Sequence, residues 1–367
     1  MMGRRVKRIL VVLDDIGPGD GLRSKFAIAV LRTAHPESRI TLLVSEAAAE
    51  VFERDSGCDR VVVSHLYRAG IEGRWRNRMH KLTALLRVLP AVGLAHDLVL
   101  VLNWGTSTLD LLGRLAGGRV VGYRNRLPFL LSSRLGAYDV EGDPLEQNWT
   151  LLAAAGLTRT EAATRMKDPE PRLVSEAELT VPEPYAVLHV GSDWACQQWS
   201  QEGWAEVGDR LVDEYRLTVV FTGLAGESAY IADIQALMRR PSISLAGSTT
   251  LDGLRRLLTR ASLCVSVDSA PYELAQLTGT PVVVLAGPTS ARPQMAGRGR
   301  PVVINRTPGE LGFTIRACQR THAEGHCHDY RCPFSQLPFI DVDEVMRGVG
   351  KLELSRNSPA YTAREAR

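Results

Sequence analysis

Three turns in this 367-residue chain carry side chains able to handle a proton, a phosphate or a sugar hydroxyl. The first is LDDIGPGDGLRS at 13–24, directly after an apolar run. Gly17, Gly19 and Gly21 permit backbone conformations closed to other residues and can bring helix-start N–H groups close to a ligand. Asp20, flanked by Gly19 and Gly21, is a carboxylate suited to general-base work if the turn lies at the carboxyl edge of a sheet. The same Asp is equally at home as a helix N-cap, and the residue types alone leave both readings open. A dinucleotide fingerprint would need a third glycine where Leu22 or Ser24 stands, so a nicotinamide cofactor is not indicated.

The second turn lies in LHVGSDWACQQWSQEGW at 188–204. Gly191 and Ser192 offer backbone and hydroxyl donors to phosphate oxygens, Gln197 follows, and a helix is expected from about Ser200. Trp199 and Trp204 fit a core better than a ligand contact. The third is LCVSVDSAPYELAQLTGTPVVVLAGPTSARP at 263–293. A strand runs into Asp268–Ser269, a helix carries Pro271 in its first turn and ends at Gly279, and a second strand leads to Gly287 and Thr289, with Arg292 beyond. Glu227, after the Thr222–Gly223 turn, can accept two hydrogen bonds from a vicinal diol or simply favour the first turn of a helix.

These turns need elements to hold them. Short β-rich runs at 9–13, 40–44, 61–63, 98–102 and 119–123 alternate with amphipathic stretches such as 22–34 and 77–89, the pattern of a parallel sheet covered by helices. Residues 165–184 hold four prolines and many charges and interrupt it, after which it restarts at 186–190, 217–222, 242–247, 262–267 and 281–287. The expected organisation is two Rossmann-like α/β domains, 1–170 and 185–351, joined by a linker at 171–184 and followed by a flexible tail at 352–367. Two such domains would face each other across a ligand-binding cleft.

Composition narrows the classes further. Apolar residues make up 45% and charged residues 23%, as in folded globular proteins, and 44 basic against 41 acidic residues is too balanced for a dedicated nucleic-acid binder. The apolar run after the basic start is too short for a signal peptide, and no stretch approaches a membrane span, so a cytoplasmic protein with at most peripheral membrane contact is expected. Residues 65–134 nevertheless hold eleven Arg and Lys against three acids, among them Arg74, Arg76, Arg78, Arg124 and Arg126. This is either a basic binding face or a solvated helix surface. Cys318, Cys327, His328 and Cys332 match no standard zinc-finger spacing, and no metal or other cofactor is expected. Asp341-Val-Asp343 has the spelling of a metal-binding pair but reads as the start of a last helix.

The Gly17–Asp20 turn, His189/Gly191/Trp199/Trp204, VSVDS at 265–269 and GTPVVVLAGPT at 279–289, in this order over about residues 8–350, resemble glycosyltransferase family 9, the ADP-heptose:lipopolysaccharide heptosyltransferases of the GT-B fold. The resemblance implies an inverting, metal-independent transfer with Asp20 as base. Gly191, Ser192, Gln197, Glu227, Asp268, Ser269, Glu273, Gly287, Thr289 and Arg292 would hold the nucleotide-sugar donor. Gly19, Gly21 and the arginines of 65–134 would hold the sugar acceptor. Two positions depart from the family pattern: Gln197 stands where a Lys is usual, and Glu273 where a His is usual. They leave open a different nucleotide sugar, a soluble natural-product acceptor such as an aminoglycoside or nucleoside antibiotic, or a protein that binds nucleotide sugar without turning it over.

Overall fold

The computed structural model describes residues 6–14, 18–52, 57–64, 74–102, 107–124, 127–133, 135–138, 144–157, 181–192, 197–286, 301–305, 337 and 340–352. The chain divides into two compact units, Met1–Arg172 and Leu173–Arg367.

The first unit is built on β1 (Arg8–Leu13), β2 (Arg39–Ser45), β3 (Arg60–Ser64), β4 (Leu98–Val101) and β5 (Arg119–Val121), all parallel in the order β3-β2-β1-β4-β5. β1 is buried from Ile9 to Leu13, and β4 throughout, which is why both read as unbroken apolar runs rather than alternating ones. Helices α1 (Pro18–Ala34), α2 (Glu46–Phe52), α3 (Arg74–Val92), α4 (Ser107–Ala116) and α5 (Pro144–Ala154) cover the sheet. α1 packs with α2 and α5, whereas α3 packs with α4. Ala84, Leu85, Val88 and Val92 of α3 and Leu109 and Leu112 of α4 close over Leu10, Val12, Val99 and Val101.

The second unit repeats the design with β6 (Tyr185–His189), β7 (Thr218–Thr222), β8 (Ser242–Ser244), β9 (Leu263–Val267), β10 (Val282–Ala286) and β11 (Val302–Asn305). The order is β11-β10-β9-β6-β7-β8, again parallel. Its described helices are α6 (Gln201–Tyr215), α7 (Ser228–Leu237), α8 (Leu251–Arg260), α9 (Ala270–Thr278) and α10 (Val342–Lys351). β11 was not anticipated from the sequence. Leu352, placed in a flexible tail by its composition, is instead buried in the core with Ile340, Val345 and Val349, because it supplies the apolar contact that ends α10. Residues 353–367, like most of the expected linker, lie outside the described residues. As expected, Asp341 caps α10, its carboxylate accepting from the Glu344 N–H at 2.6 Å.

The turn between α4 and β5 carries two glycines at positive φ, Gly117 and Gly118, and the second is the more tightly enclosed. Gly118 has φ +72°, and a Cβ there would overlap the His96 carbonyl oxygen and lie 2.6 Å from that of Asp97. Both are backbone atoms that cannot swing aside. Gly118→Ala should therefore lower stability by about 3 kcal/mol, read as a fall in the urea midpoint at unchanged m-value.

Candidate functional site

In a parallel sheet whose strand order reverses, the crossovers leave on opposite faces, and the carboxyl ends of the two diverging strands frame an open crevice. The reversals fall between β1 and β4 in the first unit and between β6 and β9 in the second. The turns singled out in the sequence leave from β1, β6 and β9.

The turn after β1 differs from expectation. Asp20 was placed on a glycine-flanked loop, with N-capping as the competing role, but α1 already begins at Pro18. Pro suits a first helical position because its fixed φ is helical and its missing N–H would have had no partner there. Asp20 thus sits in the first turn of the helix, past the capping position. Its Oδ1 accepts from Arg23 Nη2 at 2.6 Å, its Oδ2 makes no hydrogen bond among the described residues, and the side chain is 23% exposed. Gly19 lies in the same turn. Gly21, expected near the acceptor, faces α2: a Cβ would come within 3.3 Å of Ala48 Cβ and Phe52 Cε2, so the glycine lets the two helices approach. Asp14, at the end of β1, is buried and accepts from Ser64 Oγ at 2.7 Å, a contact across the carboxyl edge that sequence reasoning missed.

In the second unit several expected residues come together. Ser192 Oγ donates to Gln197 Oε1 at 2.5 Å, and Gln197 is buried. The backbone beside Gln197 is pinned by Trp199, whose Nε1 donates to the Ile340 carbonyl at 3.0 Å and whose own carbonyl accepts from Tyr230 Oη at 2.6 Å. Trp199 meets Trp204 edge-to-face at 5.3 Å, and both are buried in the core as expected. Ser200 caps α6 through the Gly203 N–H at 3.1 Å.

Glu227 is held beside Gly191. A Cβ on residue 191 would fall within the Glu227 carboxylate, and one on residue 223 would lie 2.6 Å from its Oε2, so only glycines accommodate this side chain between the ends of β6 and β7. Oε2 also accepts from the Leu224 N–H at 2.6 Å. His189, the last residue of β6, is buried with Nδ1 3.0 Å from Thr222 Oγ1. Burial pushes it down to about 4, against a weaker opposing hydrogen bond at Gly191, so it is neutral at physiological pH.

After β9, the Asp268 N–H donates to the Leu285 carbonyl and extends the ladder by one residue. Ser269 occupies the N-cap of α9 without a side-chain capping bond, and Gly279 closes the helix at φ +74°. Glu273, expected to face the donor, is 2% exposed in the first turn of α9. Among the arginines, Arg74, Arg76 and Arg78 fall on the start of α3 and Arg124 is exposed after β5. Arg126, Gly287, Thr289, Arg292 and the Cys318–Cys332 cluster lie outside the described residues. Among the described residues no group of three or more His, Cys, Asp or Glu is poised to hold a metal.

His189 makes stability depend on pH. Its folded value lies below the ordinary 6.5, so the unfolded chain binds the proton first, and stability falls as pH drops from about 6.5 towards 4. His189→Gln should flatten that fall by about 2 kcal/mol, measured as urea midpoints at pH 7 and near pH 4.5.

Comparison with known proteins fits this geometry. The family model described as glycosyltransferase family 9 (heptosyltransferase) matches residues 111–303. The chain is 24% identical over 284 residues to lipopolysaccharide heptosyltransferase 3 of Escherichia coli K12, spanning 74% of this chain and 80% of that protein. A shorter match, 32% identical over 96 residues, covers 26% of this chain and 27% of the lipopolysaccharide core heptosyltransferase OpsX of Haemophilus influenzae. Among solved structures, a family 9 glycosyltransferase from Veillonella parvula shares the fold with TM-score 0.70 at 19% identity, covering 95% of this chain and 98% of that one. E. coli ADP-heptose lipopolysaccharide heptosyltransferase II does so with TM-score 0.62 at 20% identity, covering 94% and 97%. The iron-containing dodecameric glycosyltransferase TibC of enterotoxigenic E. coli has TM-score 0.52 at 14% identity, covering 95% and 77%. The two units thus form the two halves of a GT-B fold, and the chain is a glycosyltransferase belonging to family 9, the heptosyltransferase family.

Proposed function

We propose that this protein transfers a heptose or closely related sugar, with inversion, from a nucleoside diphosphate donor to a hydroxyl of a lipopolysaccharide core acceptor. ADP-heptose is the donor to try first, because the relatives named above include a lipopolysaccharide core heptosyltransferase and a lipopolysaccharide heptosyltransferase, and a solved relative is an ADP-heptose lipopolysaccharide heptosyltransferase. The observation that carries the reading is positional: the residues matching the family's motifs occupy the turns leaving β1, β6 and β9, where strand order reverses.

In this scheme Asp20 Oδ2 takes the proton of the acceptor hydroxyl as that oxygen attacks the anomeric carbon. The bond from that carbon to the donor phosphate oxygen breaks on the opposite side, and the nucleoside diphosphate leaves with the electron pair. Arg23, bound to Oδ1, fixes the carboxylate's orientation and leaves the working oxygen to the substrate. Backbone N–H groups at Gly191, Ser192 and Ser269, with the Ser192–Gln197 pair, receive the leaving group's charge, and Glu227 receives the ribose diol. Gln197 supplies a neutral amide where the family pattern has a cation, so affinity for the diphosphate should depend less on salt. Gly287, Thr289 and Arg292 complete the proposed donor set.

Asp20→Asn should reduce transfer about a thousandfold while leaving ADP-heptose affinity within about threefold. Nucleoside diphosphate release with purified core acceptor and titration calorimetry measure the two. Retention of the parent rate would remove Asp20 as base. Absence of binding or thermal stabilisation by any nucleoside diphosphate sugar would overturn the donor assignment. Full activity after exhaustive chelation is the expected result for the metal-independent scheme, and loss restored by iron would replace it.

A further inference from the structure

His189 is a buried titratable group to which the transfer scheme gives no task. It ends β6 and is paired in register with Thr222 of β7 on one side and Ser266 of β9 on the other. Residues paired across neighbouring parallel strands point to the same face, so three polar side chains form one row across the middle of a largely apolar sheet. All three are more than nine-tenths buried. The row lies directly beneath the turns that carry Gly191 and Ser192, Gly223 and Glu227, and Asp268 and Ser269.

The hydrogen bonds within the row divide it. Ser266 Oγ donates to the Val267 carbonyl of its own strand at 2.7 Å. His189 Nδ1 and Thr222 Oγ1 instead share a bond of 3.0 Å between strands, and the imidazole also hydrogen-bonds the Gly191 backbone. With the His189–Thr222 pair the ladder between β6 and β7 ends. Beyond it Glu227 is seated between Gly191 and Gly223, each too close to its carboxylate to carry a Cβ. The width of that slot depends on how the ends of β6 and β7 are held together, and the imidazole is what joins them there. A residue serving only to fill the core would need no polar edge at this place.

We propose that His189 is a positioning residue for the nucleotide-sugar donor: through Thr222 and the Gly191 backbone it fixes the spacing of the two turns that enclose Glu227, without touching the donor itself. This rests on the donor assignment made above and names the group that preorganises it. A neutral imidazole carries one donor and one acceptor nitrogen, so it can serve two polar partners without placing a charge in the sheet. Held by such a support, the donor-binding groups need no rearrangement when the donor arrives.

Titration calorimetry with ADP and steady-state kinetics with ADP-heptose separate this from a purely structural role. His189→Leu should raise the ADP Kd and the donor KM about tenfold, with kcat at saturating donor and the acceptor KM within about twofold of the parent. Thr222→Val keeps the side-chain volume and should raise both donor constants at least about threefold. The double variant should not exceed His189→Leu alone, because both changes break the same tie. His189→Gln, which retains a polar edge, should return the donor KM to within about threefold of the parent. Gly118→Ala, destabilised in the first unit, should keep the parent donor KM and so controls for lost stability alone. A parent-like donor KM in folded His189→Leu overturns the inference, as does a loss confined to kcat or a double variant whose losses multiply. Thr222→Val decides the question by the same criterion where His189→Leu does not fold. Failure of the donor assignment looks different: the parent itself would bind no nucleoside diphosphate, and both readings would fall.

Discussion

The organisation of this molecule follows from central strands that are buried along their length and carry mostly apolar side chains. β1, β4, β6, β9 and β10 are buried on both faces, and a charged group within them would be stranded away from water. Polar chemistry is thereby expelled to the strand ends. Right-handed crossovers then force the helices onto both faces and make strand order reverse once in each sheet. The crevice at each reversal is the one place where backbone donors, glycines and carboxylates gather without competing with the core. Asp14 and Asp20 after β1, Gly191 and Ser192 after β6, and Asp268 and Ser269 after β9 are consequences of that exclusion.

The second unit shows how packing turns such a gathering into fixed geometry. The Glu227 carboxylate is held between Gly191 and Gly223 because neither glycine has a Cβ to oppose it. Its remaining freedom is taken by the Leu224 N–H. Gln197 is fixed from two directions, by Ser192 Oγ and by the burial of Trp199 two residues on. A neutral His189 beneath the same turn keeps a positive charge out of the sheet while hydrogen-bonding Thr222 on the neighbouring strand. Gln197, Glu227 and His189 are tolerated here because each has a hydrogen-bond partner.

What could be read from the sequence follows the same physics. Ten strands were legible because segments of three to seven residues rich in Val, Ile and Leu have few alternative uses. β11 was not, since Val302–Asn305 is four residues long and follows a stretch without periodicity. The caps at Ser200 and Asp341 and the stop at Gly279 were legible as local chemistry. Gly-Pro-Gly suggested a loop at Asp20, yet α1 begins at Pro18, and the sequence could not show that Gly21 is needed against Ala48 and Phe52, which are contacts between helices. Leu352 was misjudged for a related reason. Composition assigns a segment's average, whereas burial is decided by one side chain meeting a core assembled from distant residues. The partner of Asp20, Arg23, was in view three residues away, but nothing in the spacing alone distinguished an ion pair from capping.

The first unit also divides its helices by face, and topology decides which face each one covers. α1 leaves the carboxyl end of β1 and packs with α2 and α5, so that side is closed by helix–helix contacts. α3 leaves the carboxyl end of β3 on the other face and starts at the same sheet edge as the Asp20 turn. Its outward stripe then runs from Met79, near that edge, to Leu86, farther from it. The outward stripe of this helix therefore begins beside the edge that carries the Asp20 turn.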